Sequence, residues 1–169
     1  MSGLPKKVSH VVEQILNALP SDELKFDHAT NTVGSIASRL LPRLDPGASL
    51  FLVNEYFKTE SLNVLPIIVD NQCVGIIDRN QLNLYLTPTM GTDLETEREA
   101  RMWQRPINSL MKVKFHSVES SLDVRELIQL VREKNYQLPL VIVRDGHYVG
   151  LLTERDLMDY LLANSPWSL

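Results

Sequence analysis

The sequence contains only one cysteine, Cys73, among its 169 residues. A single cysteine excludes an intrachain disulfide, which fits a reducing compartment. Long apolar runs are also missing, and the longest ones fall far short of the roughly 18 residues needed to span a bilayer. The first twenty residues lack the unbroken apolar core of a signal peptide. These absences predict a soluble, cytoplasmic protein that does not associate with a membrane.

An excess of positive charge is missing as well. Lys and Arg number 17 against 21 Asp and Glu, so the formal net charge is −4. Non-specific binding to a phosphate backbone needs clustered cationic charge, so nucleic acid is not an expected partner. The composition, 44% apolar and 22% charged, is that of an ordinary globular protein. The length allows one domain or two very small ones.

Recognisable catalytic and metal-binding motifs are absent from the sequence. The four histidines are scattered and have neither H-E-x-x-H nor Cys–His spacing; they are His10, His28, His116 and His147. No G-x-S-x-G, Walker A or G-x-G-x-x-G motif occurs. Cys73 lies in a predicted strand and is expected to be a small core residue rather than a nucleophile. The sequence therefore predicts no catalysis, no metal and no required cofactor.

What the chain does contain is an internal repeat. Residues 65–86 read LPIIVDNQCVGIIDRNQLNLYL, and residues 138–161 read LPLVIVRDGHYVGLLTERDLMDYL. From Val74 and Val149 onward the copies align at an offset of 75, and upstream at an offset of 73. The difference predicts two extra residues at the hairpin of the second copy. A period near 75 is too long for a solenoid and indicates a duplicated small domain.

Both copies show the same order of predicted elements: helix, strand, turn, strand and helix. In the second copy, Asp123 and Glu126 have capping-box spacing before an apolar stripe of helical period. Asp145-Gly146 is a hairpin-turn signal. The predicted elements of this copy are strands at 138–143 and 148–152 and a helix at 153–162. Those of the first copy are a helix at 50–57, strands at 65–69 and 73–77, a turn at 70–72 and a helix at 80–86.

Two amphipathic helices are predicted outside the copies. One covers residues 6–19, and the other covers 92–104, opening with Thr92 and Glu95 at capping-box spacing. Each could pack against the protein's own body or form a dimer or partner contact, for which Met102-Trp103 would be the anchor. The predicted division is an N-terminal helical extension (1–32), a first repeat (33–90), a linker helix (91–105) and a second repeat (106–165).

A strand–turn–strand–helix unit, with LP at the first strand and G-h-h-T-x-x-D after the second, resembles the CBS domain. Such domains occur as intramolecular pairs called Bateman modules, and the resemblance covers about residues 33–163. Residues 107–111, INSLM, also resemble the segment that leads into a CBS repeat. The resemblance implies a mixed α/β fold of two β-α-β-β-α repeats with pseudo-twofold symmetry, and a homodimer. The tract 86–111 is further similar to CBS pairs attached to bacterial cyclic-di-GMP signalling enzymes.

Ligand binding is expected in the segment Gly150–Asp156. Gly150 is predicted to end a strand, where its missing side chain lets a ligand approach the backbone. Thr153 lies at the junction of strand and helix, and Asp156 lies one turn on, on the same face. A carboxylate there can accept both hydroxyls of a ribose cis-diol, while the helix N-terminus favours phosphate. The resemblance implies that Thr153 and Asp156 bind ribose, with Leu151 and Arg155 beside them. The same T-x-x-D spacing is also an ordinary helix cap.

The first copy departs from this pattern, since Asp78 replaces the Thr and Gln81 replaces the ribose-binding Asp. A neutral amide loses a charge-assisted acceptor, which is roughly twice as strong as a neutral one. The site of the first copy is therefore predicted to be degenerate. By position, the resemblance implies that the base of a ligand at Asp156 contacts the first copy at five residues. They are Leu41, Pro42, Leu62, Asn63 and Val64, each of which is also an ordinary core candidate.

The resulting prediction is a regulatory module that binds an adenosine-containing nucleotide (AMP, ADP, ATP or S-adenosylmethionine) between two CBS repeats without turnover. The ligand would shift the repeats' orientation by its differential affinity for two states, and an effector or enzyme domain would be the partner that responds. The alternative is a ligand-free dimerisation or docking scaffold of a bacterial signalling system. A sensor of another ligand, such as a guanine nucleotide, is a further alternative.

Overall fold

The computed structural model describes residues 31–38, 41–59, 62–86 and 95–164. The predicted helix at 6–19, and Thr92 of the predicted linker cap, lie outside these residues. The chain divides into two compact units. We call residues 41–114 the first-repeat unit, and residues 31–38 together with 115–164 the second-repeat unit.

The described part of the chain is a mixed α/β structure, as predicted. In chain order its elements are α1 (Val33–Ile36), α2 (Leu50–Thr59), β1 (Val64–Val69), β2 (Gln72–Asp78), α3 (Arg79–Leu86), α4 (Glu95–Trp103), a 3-10 turn (Ile107–Ser109), β3 (Ser117–Glu119), α5 (Val124–Glu133), β4 (Leu140–Arg144), β5 (His147–Leu152) and α6 (Glu154–Ala163).

The first-repeat unit is built on the antiparallel hairpin of β1 and β2. Helix α2 places Leu50, Val53 and Phe57 at helical spacing, and all three are buried in the core of this unit. Leu65 of β1 and Leu82 of α3 belong to the same core. This burial explains why a ten-residue helix, which is marginal alone in water, is stable here.

The linker helix α4 contributes to this core through its last turn. Met102 and Trp103 pack against the core of the first-repeat unit, and the Trp103 ring lies edge-on to Phe51 with 6.4 Å between ring centroids. The sequence left open whether Met102-Trp103 packs on the protein's own body or anchors a partner. The structure places both side chains on the body.

The second-repeat unit contains a three-stranded sheet in which β4 pairs with β3 in parallel and with β5 in antiparallel fashion. Asp123 is the N-cap residue of helix α5, and its side chain accepts a hydrogen bond from the Arg125 N–H at 2.7 Å. The predicted apolar stripe of Leu127, Ile128 and Val131 faces the core. Leu127 and Val131 are buried, and Ile128 is partly buried and packs against the same core.

The two hairpins have the same length, so the predicted two-residue extension of the second hairpin is wrong. Asp70-Asn71 and Asp145-Gly146 are both two-residue turns with positive φ, a conformation that matches the twist of the strands. Leu65 pairs with Ile77 and Leu140 with Leu152, so the offset is 75 on both sides of the turn.

The alignment of the two copies was shifted by two residues before the turn because Leu65-Pro66 was matched with Leu138-Pro139. Leu138-Pro139 precedes strand β4, which begins at Leu140 and not at the predicted Leu138. Leu65 and Leu140 are the equivalent residues, and both are completely buried. Register follows the residues that face the core and the geometry of the turn, and neither is visible in a two-letter match.

Each unit is completed by a segment that the sequence division assigns to the other repeat. In the second-repeat unit, Ser38 pairs with Leu151 through two backbone hydrogen bonds of 2.8 and 3.1 Å. In the first-repeat unit, Lys112 pairs with Ile76 through bonds of 2.8 and 3.0 Å. The segment around INSLM, predicted to lead into the second repeat, thus packs on strand β2 of the first-repeat unit.

The far end of each such segment is held in an equivalent way. The Tyr160 hydroxyl donates to Asn31 Oδ1 at 2.9 Å, and Arg105 Nη1 donates to the Tyr85 hydroxyl at 2.5 Å. Asn31 and Arg105 are 74 residues apart, as are Ser38 and Lys112. The repeat therefore includes these leading segments.

Within the described ranges, no helix is long and apolar enough to cross a membrane.

Candidate functional site

The candidate site begins at the N-terminus of helix α6. Thr153 is the N-cap residue, and its hydroxyl oxygen accepts a hydrogen bond from the Asp156 N–H at 3.2 Å. In return, Asp156 Oδ2 accepts from the Thr153 N–H at 2.9 Å. This capping box satisfies two N–H groups that the helix itself cannot. The capping interpretation of the T-x-x-D motif is therefore confirmed, and it leaves the ligand interpretation open.

The carboxylate of Asp156 is also held by a residue far away in sequence. The Ser38 hydroxyl donates to it and lies 2.8 Å from Oδ1 and 2.9 Å from Oδ2. The Thr153 hydroxyl adds a bond to Oδ2 at 2.9 Å. A carboxylate oxygen accepts two or more hydrogen bonds. Among the described residues, Oδ2 has three donors and Oδ1 has only Ser38, so Oδ1 retains acceptor capacity.

Ser38 is a residue that the sequence reasoning missed. It is positioned by its backbone pairing with Leu151 on strand β5, three residues before the start of helix α6. An alignment of VGSIAS (33–38) with INSLMK (107–112) at an offset of 74 would have marked it. We describe Ser38 as a positioning residue, since it orients the Asp156 carboxylate.

The other residues predicted around Asp156 take different positions. Leu151 is completely buried in the core, so only its backbone borders the site. The Arg155 side chain is 88% exposed, and its Nε lies 3.9 Å from the Asp159 carboxylate. Gly150 lies within β5, paired with Ile142, because the strand continues to Leu152; the prediction that it ends the strand is wrong.

The equivalent position in the first-repeat unit has a different arrangement of charge. Asp78 Oδ1 accepts from the Gln81 N–H at 2.8 Å and so caps helix α3. Asp78 Oδ2 forms an ion pair with Lys112 Nζ at 2.6 Å. Gln81 Oε1 faces the Asp78 N–H at 3.5 Å. The carboxylate has thus moved from the third helical residue to the cap, and a lysine replaces the serine.

Asp78 brings a negative charge to the start of helix α3, where the second-repeat unit has the uncharged Thr153 at the start of α6. Lys112 comes from 34 residues further along the chain and balances that charge. The two residues meet because the segment that contains Lys112 pairs with strand β2 of the first-repeat unit.

The five predicted base-contacting residues all belong to the first-repeat unit. Leu41 and Pro42 are half-buried, and Asn63 is exposed. Val64 lies inside strand β1, where it pairs with Asp78, and is 8% exposed. It is therefore part of the strand, whereas the prediction placed it before the strand.

Arg79, which the sequence reasoning also missed, holds the backbone next to these residues. Its Nε and Nη2 donate to the Leu62 carbonyl at 3.1 and 2.7 Å, and Nη2 also donates to the Phe57 carbonyl. Its own N–H donates to the Asn63 carbonyl at 2.9 Å. Arg79 therefore connects the end of α2 to the start of β1.

Comparison with known families gives a match in the C-terminal part of the chain. The sequence model of the CBS domain matches residues 107–163. A search of curated proteins found no match.

Solved structures show the same fold over most of the chain. Protein MJ1225 from Methanocaldococcus jannaschii superposes with a TM-score of 0.63 at 17% identity over 89% of this chain. The present chain spans about half of that protein, 51%. CBSX2 in complex with AMP gives 0.59 at 24% identity, covering 78% of this chain and 96% of CBSX2.

A third structure is that of the CBS domain pair of protein MJ0100, in complex with 5′-methylthioadenosine and S-adenosyl-L-methionine. It gives a TM-score of 0.55 at 17% identity, covering 76% of this chain and 94% of the other. The chain has the fold of a tandem CBS-domain pair. The CBS resemblance stated from the sequence is confirmed, while the closer similarity to cyclic-di-GMP signalling proteins stays a prediction.

Proposed function

We propose that this CBS pair is a regulatory module that binds an adenosine-containing nucleotide through the Asp156 carboxylate. The observation that carries the proposal is the geometry of that carboxylate. It is oriented by Ser38 and Thr153, stands in the first turn of helix α6 and keeps acceptor capacity on Oδ1. The two hydroxyl groups of a ribose cis-diol can donate hydrogen bonds to such a carboxylate oxygen.

Two structures of the same fold support an adenine ligand in particular. CBSX2 was solved with AMP, and the MJ0100 pair with 5′-methylthioadenosine and S-adenosyl-L-methionine. The CBS resemblance assigns the base-binding role to Leu41, Pro42 and the segment 62–64, and this assignment stays a prediction. Arg79 orients that segment, because it binds the carbonyl groups of Leu62 and Asn63.

The proposed role is regulatory, without chemical turnover. A bound nucleotide shifts a conformational equilibrium only by its differential affinity for the two states, and an effector or enzyme domain responds to the shift. AMP, ADP, ATP and S-adenosylmethionine are the candidate ligands. Incubation of the protein with each nucleotide, followed by chromatography of the products, tests the absence of turnover.

Titration calorimetry with Asp156→Ala tests the proposal. The substitution removes a charged hydrogen-bond partner, worth about 1.5–3 kcal/mol, so the affinity for AMP or S-adenosylmethionine is expected to fall about 10- to 150-fold. Asp159→Ala is the matched control, since Asp159 is an acidic residue of the same helix with a 71% exposed side chain. Equal affinity of Asp156→Ala and the wild type would contradict the assignment of Asp156.

A second candidate function is a homodimeric docking scaffold that binds no ligand. The first-repeat unit favours it through two apolar side chains that remain exposed on neighbouring helices, Phe51 of α2 at 57% and Leu84 of α3 at 74%. The homodimer stays a prediction. Native mass spectrometry of freshly purified protein reports the number of subunits and any retained nucleotide together. A stable dimer that no adenine nucleotide stabilises in a thermal-shift screen would favour the scaffold.

A further inference from the structure

We propose that Lys112 closes the first repeat's ribose position, so that the chain binds one nucleotide rather than two. The inference rests on the proposed function of Asp156. It concerns two equivalent positions, which we call half-sites. The Asp156 half-site consists of Ser38, Thr153 and Asp156, and the Lys112 half-site consists of Lys112, Asp78 and Gln81.

In the Lys112 half-site, a protein cation pairs with the half-site's only carboxylate, Asp78. Lys112 Nζ lies 2.6 Å from Asp78 Oδ2, and the two side chains are only 34% and 20% exposed. Asp78 Oδ1 is engaged by the Gln81 N–H at 2.8 Å. Ion-paired hydrogen bonds are among the strongest in proteins, so a neutral ribose hydroxyl competes poorly for this carboxylate.

Gln81 does not replace the missing ribose acceptor. At the position equivalent to Asp156 it offers one neutral amide oxygen, and that oxygen faces the Asp78 N–H. In the other half-site the same position holds a charged carboxylate that Ser38 orients through a single hydroxyl. The half-sites therefore differ in charge as well as in residue type.

The backbone of Lys112 is firmly held. Lys112 and Ile76 exchange two backbone hydrogen bonds. The neighbouring residue Met111 packs on Gly75, where an added Cβ would lie 2.7 Å from Met111 Sδ and 3.2 Å from the Lys112 carbonyl oxygen. Because the segment is seated this closely, the lysine side chain starts from a defined position next to Asp78.

Calorimetric stoichiometry tests the inference, with AMP and S-adenosylmethionine each used alone. The wild type is expected to bind one ligand per chain. The triple variant Asp78→Thr, Gln81→Asp, Lys112→Ser installs the residues of the Asp156 half-site and is expected to bind two. A folded triple variant, with an unchanged circular dichroism spectrum, that still binds one ligand would overturn the role of Lys112.

The wild-type result separates this inference from the proposed function. Two ligands per chain would refute the closed half-site and leave nucleotide binding standing. A wild type that binds none of AMP, ADP, ATP and S-adenosylmethionine would refute the proposed function and the inference with it.

A second variant keeps the test valid even if the triple variant does not fold. Ser38→Lys places a lysine beside Asp156 and is expected to lower affinity about 10- to 150-fold by the same charge-assisted competition. Ser35→Lys, on the same segment, is the matched control. Undiminished binding by Ser38→Lys would overturn the inference.

Discussion

The contact between Ser38 and Asp156 gives a prediction about stability that needs no ligand. Ser38→Ala removes the hydroxyl that lies 2.8 and 2.9 Å from the two carboxylate oxygens. A hydrogen bond to a charged group contributes about 1.5–3 kcal/mol. Because Thr153 continues to satisfy the carboxylate in this variant, we expect the free energy of unfolding to fall by about 1–2 kcal/mol.

Asp156→Ala removes more than this one contact. It loses the bond from Ser38, the reciprocal bond to the Thr153 N–H and a negative charge in the first turn of α6. A cap contributes about 1 kcal/mol and a favourable dipole interaction about 0.3–1 kcal/mol. Together with the Ser38 bond, the expected loss in the free energy of unfolding is about 2–4 kcal/mol.

A double-mutant cycle isolates the shared part of these losses. Urea denaturation of the wild type, both single variants and the double variant, followed by circular dichroism, gives the coupling energy. We expect about 1–2 kcal/mol, since both single variants lose the same bond. Ser35→Ala is the control, because the Ser35 hydroxyl donates to the Thr32 carbonyl. The loss in the free energy of unfolding that it causes should add to the loss caused by Asp156→Ala. Additivity of Ser38→Ala and Asp156→Ala within about 0.3–0.5 kcal/mol would refute the reasoning.

Three further variants test other parts of the structure. Gly34→Ala puts a Cβ 2.8 Å from Ser120 Cβ and 2.9 Å from its carbonyl oxygen, so the free energy of unfolding should fall by about 1–3 kcal/mol. Arg79→Met leaves the Phe57 and Leu62 carbonyls without their guanidinium donor and should cost about 1–3 kcal/mol, whereas Arg101→Met, at an exposed site, should cost little. Burial and, to a smaller extent, the negative charge of Asp123 raise the pKa of Tyr160 to about 12. In the unfolded chain the Tyr pKa is about 10, so the folded state retains the proton longer and stability falls as the pH rises from about 10 to 12.

Urea denaturation measures all three effects. An unchanged midpoint for Gly34→Ala would contradict the close approach to Ser120. Equal midpoints for Arg79→Met and Arg101→Met would contradict the role of Arg79. For Tyr160, the comparison is the loss of stability between pH 10 and 12 in the wild type and in Tyr160→Phe, and identical losses would contradict the assigned pKa.

The repeat itself could be predicted from the sequence because equivalent positions of the two copies have the same packing and backbone requirements and so keep the same residue types. Val149, Gly150, Leu157 and Tyr160 recur from the first copy at an offset of 75. The helices and strands follow from apolar periodicity, so α2, α5 and both hairpins were placed within a few residues. The error at Leu138 arose because letters were matched across a turn whose register is set by burial.

The class of fold and the cap of helix α6 could be predicted from the amino-acid sequence, since periodicity and the T-x-x-D spacing act over a few residues. Which distant side chains reach each cap depends on how the chain folds. Ser38 meets Asp156 across 118 residues, and Lys112 meets Asp78 across 34. Those contacts arise because each leading segment pairs with the last strand of a hairpin, and backbone pairing between distant segments leaves no local pattern in the side chains.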